Sequence, residues 1–169
     1  RIPTCGLRVE ERSLPWGLDG IKAGVAQLPY HVRQALKRGE EVEWENKVLQ
    51  PGDWCTPPRK ARAYVFSADT RPCQSLQEMA KGADVLYHDS TFANLDEERA
   101  KSTYHSTASQ AGRLAYQAGV GHLVLGHIST RYRDMDLLLE EAKAFHPHVT
   151  VAKDDMRMTI EGGGLNERV

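Results

Sequence analysis

Few of the features that classify a chain at a glance are present here. There are only three cysteines, Cys5, Cys55 and Cys73, widely spaced and without a Cys-x-x-Cys pair. The cysteines therefore support neither a zinc knuckle nor a disulfide framework, and three reduced thiols suit a cytoplasmic protein. No apolar run approaches the ~18 residues of a membrane span, so no membrane is expected. No charged and then apolar segment opens the chain, so no signal peptide is expected either. The net charge is −1, from 22 basic and 23 acidic residues. Whole-chain basicity, the usual footprint of a nucleic-acid binder, is thus missing, and a nucleic-acid substrate would need a local basic patch. The sequence contains no internal repeat and no low-complexity tract.

What is present is an ordinary globular composition. The chain has 169 residues, 40% hydrophobic and 27% charged, enough for one domain with a sizeable core. Residues 1–10, with Ile2, Leu7 and Val9 among polar neighbours, predict an edge or hairpin strand. Residues 12–60 carry Pro15, Pro29, Pro51, Pro57 and Pro58 and no sustained period. One short helix, His31 to Arg38 before Gly39, is predicted inside this inserted arm.

From residue 61 the pattern tightens. Short apolar runs at Ala63–Phe66, Ala83–Tyr87 and His122–Gly126 predict buried strands. Helices are predicted at residues 74–81, 106–118 and 134–145, the second with Ala108, Ala111, Leu114, Ala115 and Ala118 at helical spacing and Gly119 as its stop. Residues between the second strand and Tyr104 read as a polar loop. Short strands at Val149–Ala152 and Met156–Ile160 close the chain. This alternation predicts an α/β layer architecture. Polar residues gather where the strands end, at Asp69, His88, Asp89 and His127, the place where open α/β sheets hold their ligands.

Each of these residues has an ordinary role beside a chemical one. Asp69 is a turn residue capping its own loop or a carboxylate ligand for a metal. His127 is a structural histidine or a metal ligand, and carboxylate with imidazole suits zinc or manganese. His105 precedes Ser106 and Thr107, either of which can cap the following helix; it is an exposed neighbour of that cap or an acid–base histidine near an anion. His146-Pro147-His148 mimics a His-x-His pair but sits in a turn after a helix, and His31 and His122 read as structural. Arg59, Lys60, Arg62, Arg131 and Arg133 read as solvated surface, with phosphate contact open to Arg131, four residues past His127.

Four motifs, in order, resemble one family. Phe66-Ser-Ala-Asp-Thr-Arg71, His88-Asp-Ser-Thr-Phe92, His105-Ser-Thr107 and Leu125-Gly-His-Ile-Ser-Thr-Arg-Tyr132 resemble the Phe-Ser-Gly-Asp-Thr-Arg, His-Glu-Ala-Thr-Phe, His-Ser-Thr and Leu-Thr-His-Phe-Ser-Ser-Arg-Tyr segments of ribonuclease Z. The resemblance covers nearly the whole chain, as the C-terminal half of such an enzyme. It implies half of a metallo-β-lactamase αββα sandwich spanning residues 1–169, with 12–60 as an inserted arm that binds tRNA. It implies a zinc-dependent endoribonuclease that removes the 3′ trailer of precursor tRNA. Half a sandwich leaves an apolar sheet face to be covered, so the chain is expected to dimerise through that face, aggregate or pair with its missing half, with the parent a homodimer. Two zinc ions are implied, with Asp69 and His127 as ligands and most other ligands in a missing N-terminal half, since no His-x-His-x-Asp-His occurs here. His105 takes the catalytic acid–base role, supported by Asp89 as the catalytic acid partner, which stands where the family has Glu. Ser129 and Arg131 face the substrate phosphate. On this reading the isolated chain is inactive. Two alternatives stand beside it: a non-catalytic tRNA-binding or assembly fragment, and another metallo-β-lactamase-fold phosphodiesterase.

Overall fold

The computed structural model describes residues 3–161 and 164–168. Arg1 and Ile2, part of the predicted first strand, lie outside the described residues. The chain forms two compact units, Arg1–Glu10 with Arg62–Val169, and Glu11–Ala61. In chain order the elements are β1 (Leu7–Glu10), then β2 (Gly17–Leu18), α1 (Gly20–Val25), α2 (Tyr30–Lys37), β3 (Val42–Trp44), β4 (Lys47–Leu49), α3 (Pro51–Trp54) and β5 (Cys55–Thr56). There follow β6 (Ala63–Phe66), α4 (Gln74–Ala80), β7 (Val85–Asp89), α5 (Glu97–Thr103), α6 (Ala108–Ala118), β8 (His122–Gly126), α7 (Asp136–Lys143), β9 (Val149–Val151), β10 (Arg157–Glu161) and β11 (Gly164–Arg168).

The larger unit is built on a five-stranded sheet of order β1-β6-β7-β8-β9. β6 through β9 run parallel, and β1 pairs antiparallel with β6. Parallel neighbours need crossover connections, and α4, α6 and α7 lie on those connections. The alternation along each strand sends Ala63, Val65, Leu86, Leu123 and Leu125 into one core with Leu76, Ala111, Leu114, Ala115, Leu138 and Ala142 of the helices. α6 is set by a capping box, in which Thr107 accepts from Gln110 N and the Gln110 side chain accepts from Thr107 N. It approaches α7 closely at Gly112, where a Cβ would meet the Ala142 carbonyl oxygen at 2.6 Å.

The opposite sheet face carries a second apolar set. Leu7 faces Phe66 and Val9 faces Tyr64 across the β1–β6 pair, and Phe66 faces Tyr87 in the next. Leu7 and Val9 are 57% and 62% exposed. Among the described residues no helix is long and apolar enough to cross a membrane.

The smaller unit has its own core of Ala23, Leu28, Val32, Leu36, Leu49 and Cys55, edged by all three tryptophans of the chain, Trp16, Trp44 and Trp54. α2 occupies the predicted helical stretch. The β3–β4 hairpin and α1 are additions to what the sequence pattern shows. The hairpin turns on Glu45 and Asn46, both left-handed at φ 51° and 58°, a geometry that normally advertises itself with glycine.

Candidate active site

The parallel strands β6, β7 and β8 end side by side, with Phe66 beside Tyr87 and Asp89 beside Gly126. His88 and Asp89, predicted to follow their strand, form its last two residues and are fully buried. The polar cluster therefore begins inside the sheet and continues into the loops beyond it. Three of its backbone positions are left-handed: Ala68 before Asp69 (φ 56°), Tyr104 before His105 (φ 65°), and His127 itself (φ 57°). Such conformations cost about 1 kcal/mol or more for residues with a Cβ and gather where side chains must be aimed. Gly126 has no room for a Cβ, which would fall 2.0 Å from the Tyr87 ring.

Asp89 is the anchor. Its Oδ1 accepts from Thr91 N at 2.9 Å, the Thr91 hydroxyl at 2.8 Å and Ser106 N at 3.4 Å. Its Oδ2 accepts from Thr70 N at 2.9 Å and faces His105 Nδ1 at 2.6 Å. The loop after β6, the loop after β7 and the segment entering α6 are all tied to this one carboxylate. Since Nδ1 of His105 faces Asp89, its Nε2 lies on the opposite edge of the ring. That is the arrangement of an acid–base histidine oriented by a buried acid. The His105 and His127 rings stack, 5.0 Å apart and 16° from parallel.

His127 ends the run from β8. Its Nδ1 lies 2.8 Å from Thr91 Oγ1 and its Nε2 3.2 Å from Asp69 Oδ2. The Asp69 and His127 side chains are 49% and 42% exposed, open to a ligand. Asp89, His105 and His127 also bring donor atoms within 4.8 Å of one another. Asp89 is saturated by hydrogen-bond donors and its partner nitrogen on His105 is engaged, so the pair Asp69–His127 is the better fit to a metal. One carboxylate oxygen and one imidazole nitrogen match part of a zinc shell.

Arg131 donates to Ser129 Oγ at 3.2 Å and to Asp96 Oδ1 at 3.2 Å, with its guanidinium over the Phe92 ring. The Tyr132 hydroxyl donates to the other Asp96 oxygen. Asp96 is held below the usual carboxylate range by the Tyr132 hydroxyl first, with Arg131 contributing. Burial holds the Tyr87 phenol above its ordinary range; a backbone hydrogen bond at His127 opposes this, and the Asp69 and Asp89 carboxylates add to it. His146 is buried away from the cluster, its ring nitrogens facing the Val120 and His148 carbonyls, and so serves as a structural staple.

His88 contributes differently. Its Nδ1 donates to the Asp89 carbonyl at 2.7 Å, and its Nε2 meets no partner among the described residues. Burial lowers its pKa. The unfolded chain takes up a proton near the ordinary value of about 6.5 that the fold refuses, so the stabilisation is full above that pH and is lost as pH falls below it. His88 is expected to contribute a slope of up to about 1.4 kcal/mol per pH unit. Urea melts at pH 7.5 and 5.5 should show it, and the His88 ring should stay neutral by NMR across that range. A His88 ring that titrates normally there rules this out.

The fold is that of the metallo-β-lactamases. The metallo-β-lactamase fold protein YhfI of Bacillus subtilis superimposes with a TM-score of 0.50 at 30% identity, over 54% of this chain and 38% of that one. Within that class the chain matches ribonuclease Z: it is 42% identical to the ribonuclease Z of Bacillus licheniformis over 90% of its own length, and 37% identical to that of Bacteroides thetaiotaomicron over 95%. The resemblance to the C-terminal half of ribonuclease Z is thereby shown. The chain spans about half the length of these relatives, 51% in each case. No family model matches it.

Proposed function

We propose that this chain is the acid–base half of a zinc-dependent endoribonuclease that removes the 3′ trailer of precursor tRNA. The single observation that carries the reading is the juxtaposition of two pairs: His105 on Asp89 at 2.6 Å, stacked beside His127 facing Asp69 at 3.2 Å. Asp69 and His127 would hold zinc, with the remaining ligands in the N-terminal half of the full-length protein. Zinc bound there supplies Lewis acidity and activates water for attack on phosphorus. His105, oriented by Asp89, delivers a proton from Nε2 to the leaving oxygen. Ser129 and Arg131 sit beside the cluster and meet the phosphate, Arg131 exchanging Asp96 for the substrate's charge.

The apolar sheet face bearing Leu7, Val9, Phe66 and Tyr87 is the surface that the N-terminal half covers, and we place the full-length protein in the cytoplasm as a homodimer. The unit Glu11–Ala61 is the arm: it has its own core, and a small substrate needs no separate grip. It would hold folded tRNA by shape and backbone.

The test compares cleavage of precursor tRNA by the full-length protein with cleavage of a small phosphodiester such as a nitrophenyl ester. Replacing Glu11–Ala61 by a short linker should weaken precursor tRNA far more than the small ester. Equal losses would show that the arm supports the active site, and absence of 3′ trailer removal by the intact protein would reject the reading.

A further inference from the structure

Thr91 is buried at the centre of the cluster, and neither its residue type nor its position announces a chemical role. Its hydroxyl meets three partners: Asp89 Oδ1 at 2.8 Å, His127 Nδ1 at 2.8 Å and His105 Nδ1 at 3.1 Å. We propose that Thr91 is a positioning residue that fixes the tautomer and aim of His127 and links that metal ligand to the His105–Asp89 pair. The inference rests on the metal reading given above and deepens it.

A hydroxyl has one proton and two lone pairs. Asp89 Oδ1 can only accept, and it already takes the Thr91 backbone N–H at 2.9 Å. The hydroxyl proton therefore goes to Asp89. Oγ1 is then an acceptor toward both rings, so His127 Nδ1 must carry a hydrogen. In the neutral ring this leaves the lone pair on Nε2, the nitrogen facing Asp69. The reverse arrangement, Thr91 donating to His127, would put a hydrogen on Nε2 and aim it at Asp69. That suits an ion pair, not a metal ligand, and it sets the Thr91 hydroxyl oxygen 2.8 Å from a buried carboxylate oxygen with no proton between them, a repulsive contact. His105 obeys the same rule: its Nδ1 donates chiefly to Asp89 Oδ2 at 2.6 Å and secondarily to Thr91. Both rings thus turn Nδ1 toward Thr91 and Nε2 away from it, in keeping with their parallel stacking. Metal-bound histidines are generally oriented through their other ring nitrogen, most often by a carboxylate or carbonyl. Here the carboxylate acts through a threonine hydroxyl, which also reaches the acid–base histidine.

The test uses the full-length protein labelled with ¹⁵N-histidine, with Thr91→Val removing the hydroxyl at nearly constant volume and Thr91→Ser retaining it. Without metal and at a pH where histidines are neutral, the His127 resonances, assigned by His127→Ala, should show the Nδ1–H form in the parent and in T91S. In T91V they should move toward the Nε2–H form. Zinc affinity should fall about 10–100-fold in T91V and recover in T91S. Turnover of precursor tRNA should fall in T91V with little change in KM. A T91V protein with the parental tautomer and zinc affinity overturns the proposal, as does a T91S protein as impaired as T91V. A parent that binds no zinc rejects the metal reading instead, and the tautomer comparison still decides the role of Thr91.

Discussion

Replacing His105 by alanine in the full-length protein is expected to slow precursor-tRNA cleavage by roughly 10²–10⁴-fold, the usual size of a general acid–base contribution, while tRNA affinity is retained. The expectation follows from geometry. His105 enters from a left-handed turn at Tyr104, its own N–H is fixed on the Ala100 carbonyl at 2.8 Å, and its ring is clamped between Asp89 and the His127 face. A histidine serving only to accompany the α6 cap would not need a buried carboxylate with five donors. The cap is complete without it, through Thr107 and Gln110. The alanine variant takes one of five donors from the fully buried Asp89 and should lose some stability while still folding, so its melting temperature is read beside turnover to separate a chemical defect from a structural one. Asp89→Asn should also lower turnover, because the amide cannot accept from all the donors that now converge on it. That variant should lose stability as well, since it disturbs three loops at once. Single-turnover cleavage with bound tRNA is the decisive measurement. Parental turnover in His105→Ala would leave the ring with no part in the chemistry.

The sequence carries the layer architecture because the strands from Ala63 onward are short apolar runs with glycine stops between them, and the structure places a parallel sheet there. It also carries the cluster, since Asp69, Asp89, His105 and His127 all fall at strand ends or helix entries. What it hides has physical causes. α5 is Glu-Glu-Arg-Ala-Lys-Ser-Thr with only Ala100 buried, so it lacks the apolar stripe that reveals a helix. α1 has glycine at its first and fifth positions and a single buried side chain, Ala23, which weakens both propensity and period. The last two residues of β7 look like loop because they are polar. They are buried because local donors satisfy Asp89 and because His88 donates to the next carbonyl. Thr91 was the least visible of all. It stands in His88-Asp-Ser-Thr-Phe92, yet a threonine announces no chemistry until its hydroxyl is seen between two histidines and a carboxylate.

Removing the Asp69 carboxylate should abolish tight zinc binding by the full-length protein. Two readings of the Asp69–His127 contact give different magnitudes. As a half-exposed ion pair it would contribute about 0–1 kcal/mol to stability and nothing else. As part of a metal shell, its loss should cost more than the about 10–100-fold that follows removal of a residue merely orienting a ligand, and cleavage should fail with it. The exposure of both side chains and the aim of His127 Nε2 favour the second. Asp69→Ala should therefore leave the metal-free melting temperature nearly unchanged, because no buried group loses a partner. Its zinc content after dialysis against a mild chelator should drop to background, while the parent retains stoichiometric metal. The 169-residue chain by itself should hold zinc weakly, because Asp69 and His127 supply two donors where a stable site needs about four. Stoichiometric zinc in Asp69→Ala would show that the carboxylate is only the histidine's surface partner. The binding site would then have to be sought at Asp89, His105 and His127, whose donor atoms also converge.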